Sequence, residues 1–217
     1  MPRAAVTLAL LVSIGVLSVQ AGERSGVSVL LTTAPGVSPA ARMALMREAT
    51  GIWARAGIRL VWVSPASRLA GLSLRVVTVD RTGGGANSED TWVLGQLMRG
   101  AGTTAVAMIA LDQVTAIATR ARSTRAASDA DQRLGLVLGR IIAHEIGHYL
   151  LAASPHQNEG LMRARFAETE LTDPLSTTFE LNAPMKTIAH STLVNGLPAR
   201  VPAALPTAVS TREPSSD

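Results

Sequence analysis

Two hydrophobic periods divide the chain. Between residues 27 and 80, short aliphatic and β-branched runs alternate with turn residues, and one longer amphipathic stretch interrupts them. Residues 27–33 (VSVLLTT), between Gly26 and Pro35, predict a strand. Ser38 followed by Pro39 is an N-cap with a first-turn proline. The helix they open is expected to run to about Ala56, with Met43, Met46, Ala49, Ile52 and Trp53 along one side, and Gly57 stops it. Residues 58–63 (IRLVWV) and 72–80 (LSLRVVTVD) predict two more strands. The glycine loop TGGGANSED lacks the lysine–serine pair of a phosphate-binding loop. Residues 92–98 predict a short strand or turn, and residues 104–111 (TAVAMIAL) a further strand, with a polar loop through RARSTRAAS after it.

The second period begins at Gln132. Leu134, Val137, Leu138, Ile141, Ile142, Ile146 and Leu150 are apolar nearly all round a helix, so this helix is expected to be buried. Ser128-x-x-Asp131 resembles a capping box at its start, and Pro155 prevents it from continuing, which bounds it at about 129–153. A short helix is expected around residues 167–171. Residues 197–217 hold four prolines among serine, alanine and threonine and are expected to be a disordered tail. The order implies an α+β fold: a small mixed β-sheet with helices packed against it.

Length and composition narrow the class. At 217 residues and 47% hydrophobic, the chain has material for one domain, placed at 22–196. Residues 1–21 predict a signal peptide: Arg3, an apolar run, then Val19-Gln20-Ala21 fitting a small-x-small cleavage rule. That run is short for a bilayer span, which needs about 20 apolar residues. The expected mature protein is exported, secreted or periplasmic, with no stable membrane insertion. Aromatic content of 3% leaves no base-stacking surface, and the basic residues gather nowhere except RARSTR, so no nucleic-acid partner is expected. The chain has no cysteine, which removes disulfides, thiolate metal ligands and a cysteine nucleophile.

The chemistry concentrates in AHEIGHYLLAASPH. Of four histidines in the chain, His144, His148 and His156 lie here. Residues four apart share a helix face, so His144 and His148 can bind one metal ion, and Glu145, about 100° further round, can reach a water on it. Two histidines and a glutamate are costly to bury unpaired, and a metal removes that cost. Catalytic zinc takes three protein ligands and keeps one place open. His156, just past the helix end, is the first candidate for the third ligand and Glu168 the second; His190 is distant. Tyr149, the one tyrosine, is a weak candidate oxyanion donor because its helix direction leads away from the metal. Glu159, Glu168, Glu170 and Asp173 are available to hold the histidines' other ring nitrogens.

These residues resemble the metzincin metallopeptidases, whose signature is H-E-x-x-H-x-x-G-x-x-H with a following Met-turn. HEIGH matches, and Met162 lies eighteen residues after His144, near the Met-turn offset of matrixin-type members. More narrowly, LGRIIAHEIGHYLLAASPHQNEGLMRARF is similar to a group of exported bacterial predicted zinc peptidases, themselves uncharacterised. Two positions depart from the signature. Leu151 stands where glycine is expected, and His156 comes eight residues after His148 instead of six. The resemblance implies a zincin-like domain with Zn²⁺ on His144, His148 and His156, Glu145 as general base, and a peptide or protein substrate hydrolysed by a metal-activated water. It also implies that substrate lies along a sheet edge, for which residues 104–111 are the expected strand. The other readings are a non-catalytic zinc-binding module, a thermolysin-like hydrolase with Glu168 as third ligand, and a non-peptidase zinc hydrolase.

Overall fold

A computed structural model describes residues 26–67, 71–80, 91–99, 105–120, 130–151, 156–197 and 208–212, with backbone alone at 91–93 and 208–212. The expected signal peptide at 1–21, the glycine loop, most of RARSTRAAS and the Ser128 cap lie outside these residues.

The elements, in chain order, are β1 (Gly26–Thr32), α1 (Pro39–Arg55), β2 (Arg59–Val63), β3 (Ser73–Val79), β4 (Thr91–Arg99), β5 (Ala105–Ala110), α2 (Leu111–Arg120), α3 (Ala130–Leu150), β6 (Arg165–Ala167), α4 (Glu168–Thr172), α5 (Ala183–Asn195) and β7 (Ala208–Arg212). All seven strands form one mixed sheet in the order β2-β1-β3-β5-β4-β7-β6. Strand β4 pairs antiparallel with both neighbours, while every other adjacent pair is parallel. The α+β class with a mixed sheet is as the pattern implied, but the sheet is larger than expected.

Alternation along the strands shows which face is covered. In β3, Leu74, Val76 and Thr78 are buried while Arg75 is exposed; in β5, Ala105, Ala107 and Ile109 are buried. Helix α3 packs on this sheet and α1 packs on α3. Their contact is close because Gly135 and Gly139 present no side chain to α1. A Cβ on Gly135 would overlap the Ala44 methyl, and one on Gly139 would sit 2.8 Å from the Leu45 carbonyl oxygen. Trp53 Nε1 donates to the Ala143 carbonyl at 3.2 Å, which fixes the two helices beside the first histidine. Arg140 of α3, 1% exposed, pairs with Glu48 of α1 at 2.9 Å, donates to the Glu170 carbonyl at 2.6 Å and lies over the Phe179 ring. One buried cation thus locks α1, α3, α4 and the segment before α5 together.

Several elements differ from the sequence reading. Residues 104–111 are not a sheet edge: β5 lies between β3 and β4. Chain order does not dictate spatial order once a hairpin folds β4 back outside β5. Helix α1 begins at the Ser38 cap, whose oxygen accepts from the Ala41 amide. Its buried face, however, is Ala41, Ala44, Leu45, Ala49, Ile52 and Trp53, and Met43 is exposed. Helices α2 and α5 were not anticipated. Nor was β7, which lies within the stretch expected to be a disordered tail and pairs with β4 and β6.

Candidate metal centre

Helix α3 brings His144 and His148 to one face, their ring centroids 4.5 Å apart. His156 returns to them on a loop closed by the Gln157 amide bonding to the Met162 carbonyl at 2.8 Å and the Leu161 amide bonding to the Glu180 carbonyl at 2.8 Å. The turn needs Gly160, whose φ is +72° and whose Cβ would lie 2.5 Å from the Glu180 oxygen. The result is three imidazoles with one nitrogen each inside a span of 4.8 Å. His148 Nε2 and His156 Nε2 are 3.1 Å apart. Two imidazole nitrogens sharing a tetrahedral ion at about 2.05 Å would be about 3.3 Å apart, so the pair fits common ligation. His156 is the partly exposed member, whereas His144 is fully buried and His148 is 5% exposed.

The protonation of the cluster favours a cation. The Leu161 carbonyl can only accept, so His144 Nδ1 donates to it at 2.7 Å, and the lone pair falls on Nε2. That Nε2 is buried and has no hydrogen-bond partner. Burial, with the neighbouring His156, holds the His144 pKa down to about 3; burial and the other two histidines hold His148 down to about 2. Burial lowers His156 as well. The rings are therefore neutral near pH 7, the form that binds metal. The three histidines could hold a metal ion: they converge, they are neutral, and His144 Nε2 is buried without a hydrogen-bond partner.

Glu145 is fully buried beside this cluster, and neither of its oxygens has a hydrogen-bond partner. Desolvation pushes its pKa well above the ordinary carboxyl range. It stands against β4 at Gly95, where a Cβ would come within 2.7 Å of Oε1. The ladder between β4 and β7 shifts register between Val93 and Gly95, so the sheet is irregular where it touches Glu145. Burying a carboxyl with no partner opposes folding, so packing alone does not account for it.

Behind the three histidines the support is apolar. Met162, 1% exposed, occupies the space left by the missing side chain of Gly147, the residue before His148. Phe166 of β6 meets the His144 ring edge-on at 6.0 Å. Arg99 of β4 donates to the His148 and Tyr149 carbonyls at 2.6 and 3.1 Å, satisfying acceptors at the end of α3. Gly147→Ala is expected to lower stability by about 1–3 kcal/mol through overpacking, outweighing a helix-propensity gain of up to ~1 kcal/mol. Gly51→Ala is the control: its new methyl would meet only Arg55 Nη1 at 3.9 Å, and it should be neutral or stabilising. Thermal melts of the two variants read the opposite signs.

The remaining candidates lie elsewhere. Glu168 turns to Arg120 at 2.5 Å and does not join the cluster of three histidines. His190 Nε2 bonds to the Ala56 carbonyl at 2.9 Å, joining α5 to the end of α1. Tyr149 is buried, and its hydroxyl accepts from the Ser73 amide at 3.0 Å, which fits its expected direction away from the metal. Glu170 bonds to Arg163 and to the Ala167 amide, and the Leu161 carbonyl holds His144 in its place. Gly95, Arg99 and the Leu161 carbonyl were missed by sequence reasoning. Two of them lie on a strand remote in sequence from the helix, and the third is a main-chain atom, so nothing local marked them. The chain matches no family model, and no curated protein matches it in sequence.

Proposed function

We propose that the chain is a zinc-dependent endopeptidase of metzincin-like type, exported by its N-terminal segment, with His144, His148 and His156 as ligands. The carrying observation is Glu145, a buried carboxyl with no partner, one residue after a ligand and beside three converging imidazoles. Zinc is favoured by three neutral nitrogens without thiolate. A purely structural zinc is usually closed by four ligands and has no use for an adjacent acid, so the non-catalytic module is the weaker reading.

Bound zinc supplies Lewis acidity, lowering the pKa of a water towards about 7 and polarising a carbonyl. Glu145 accepts the proton of the attacking water and delivers it to the leaving amine. In the metal-free chain burial raises its pKa, which favours its holding the proton between the two steps. His144 keeps its orientation through the Leu161 carbonyl. Substrate would pair with β4, the strand in contact with Glu145, in the place that β7 takes in this structure.

Purified protein is expected to hold about one zinc per chain. It is also expected to cleave an unstructured protein such as casein, with activity lost to a chelator and recovered on adding zinc. Absence of bound metal after zinc loading, or hydrolysis indifferent to chelation, overturns the reading.

A further inference from the structure

Strand β7 occupies the place where an added strand would lie. Its neighbours both touch the candidate centre: Gly95 of β4 stands against Glu145, and Phe166 of β6 stands against His144. Strand β7 runs between them, pairing antiparallel with β4 from Thr91↔Arg212 to Gln96↔Ala208 and parallel with β6 over Arg165–Ala167. Val209 and Ser210 pair with Gly95 and Val93, at the irregular point of the ladder. Without β7, β4 would be a sheet edge and β6 would have no strand partner among the described residues. The two would then flank a slot two strand spacings wide, about 9.6 Å, which fits one extended chain.

We infer that this slot is a strand-binding surface for extended polypeptide, and that segment 208–212 is its intramolecular occupant, closing the centre until it is displaced. The inference rests on the peptidase reading for its activity arm, but the docking itself does not. Backbone pairing supplies the recognition, so the slot tolerates varied side chains. The occupant suits that role: the first four residues of AVSTR are small or β-branched, and Pro206 and Pro214 flank the segment in the sequence, each lacking a ladder donor. It joins the rest of the sheet only after residues 196–207, which follow α5. A segment joined to the sheet through its own chain acts at an effective concentration on the order of 1 mM. With the segment's own Kd for the open slot at about 100 µM, a local concentration of about 1 mM weakens the binding of a competing peptide roughly tenfold.

The test compares the full chain with one ending at Leu197, both zinc-loaded, using a fluorescein-labelled peptide of residues 205–215 and casein as probes. The shortened chain is expected to bind the peptide roughly tenfold more tightly than the full chain and to cleave casein roughly tenfold faster, with the peptide inhibiting it. Amides of β4 should exchange faster in the shortened chain and regain protection when the peptide is added. A full-length Val209→Pro, Thr211→Pro double variant removes ladder donors without truncation and should show the same gains. Equal peptide binding and equal β4 exchange in all three proteins overturn the inference, and if casein is still cleaved the peptidase reading survives. Peptide binding confined to the shortened and proline variants, with no cleavage by any, supports the slot and sinks the peptidase.

Discussion

Glu145→Gln in the zinc-loaded protein leaves the metal bound and lowers casein hydrolysis by about 10²–10⁴-fold, the range for removing a general base. Glutamine keeps the shape against Gly95 and Ile141 but cannot take a proton, so the loss is chemical and not steric. The zinc content should be unchanged, because the Leu161 carbonyl holds His144 independently of the carboxyl. The same variant has an opposite effect on the metal-free fold. Burial raises the native pKa of Glu145, so its contribution to stability is full below the unfolded value near 4.5 and is lost as pH rises through the native value. Glutamine carries no such penalty. Metal-free Glu145→Gln should therefore be more stable than the parent, by a margin that grows with pH above about 4.5. Chemical denaturation at several pH values reads the margin; a variant less stable than the parent at pH 7 would mean that the carboxyl has a stabilising partner. Activity retained within twofold of the parent would remove Glu145 from the reaction.

That trade of stability for chemistry is where the sequence was most informative. HEIGH within a long apolar helix states a conflict between burial and polarity, and such a conflict points to a ligand. Helix α3 was legible for the same reason: its apolar run is long and Pro155 bounds it. Helix α5 carries a cap equal in quality to that of α1, with Asn182 accepting from the Met185 amide and a proline in the first turn. It was missed because its buried positions include Ala189 and Thr192, which give little hydrophobic contrast. In α2, Leu111, Val114, Ile117 and Ala118 do recur at helical spacing, but they follow directly on the apolar β5 run and blur into it. Strand β7 had only a weak local signature, since it exists by pairing with β4 and β6, and the prolines on either side of it dominate the composition there. The position of the third histidine needed the structure for another reason. A longer loop stands where the metzincin signature has its glycine turn, and its return depends on Gly160 and the Glu180 carbonyl, residues far apart in sequence.

The loop's departure from the metzincin spacing makes His156 the most informative single substitution. His156→Ala removes one of three nitrogens, and zinc affinity is expected to fall by more than the 10–100-fold typical of losing a group that merely supports a ligand. Glu168→Ala breaks an ion pair with Arg120 whose side chain is 47% exposed, so it costs at most about 1 kcal/mol of stability and leaves zinc affinity unchanged. Because a ligand that binds only the folded chain stabilises it by RT ln(1 + [L]/Kd), the two variants separate in a thermal melt with and without zinc. The Glu168 variant keeps the zinc-induced rise in Tm and the His156 variant loses most of it. Competition with a chromogenic chelator gives the affinities directly. The reverse order, with Glu168→Ala abolishing the rise and His156→Ala sparing it, would require Glu168 to leave Arg120 for the metal and would replace the three-histidine centre with a thermolysin-like ligand set. With His156 held 3.1 Å from His148, and Glu168 engaged with a guanidinium, the geometry already favours the first outcome.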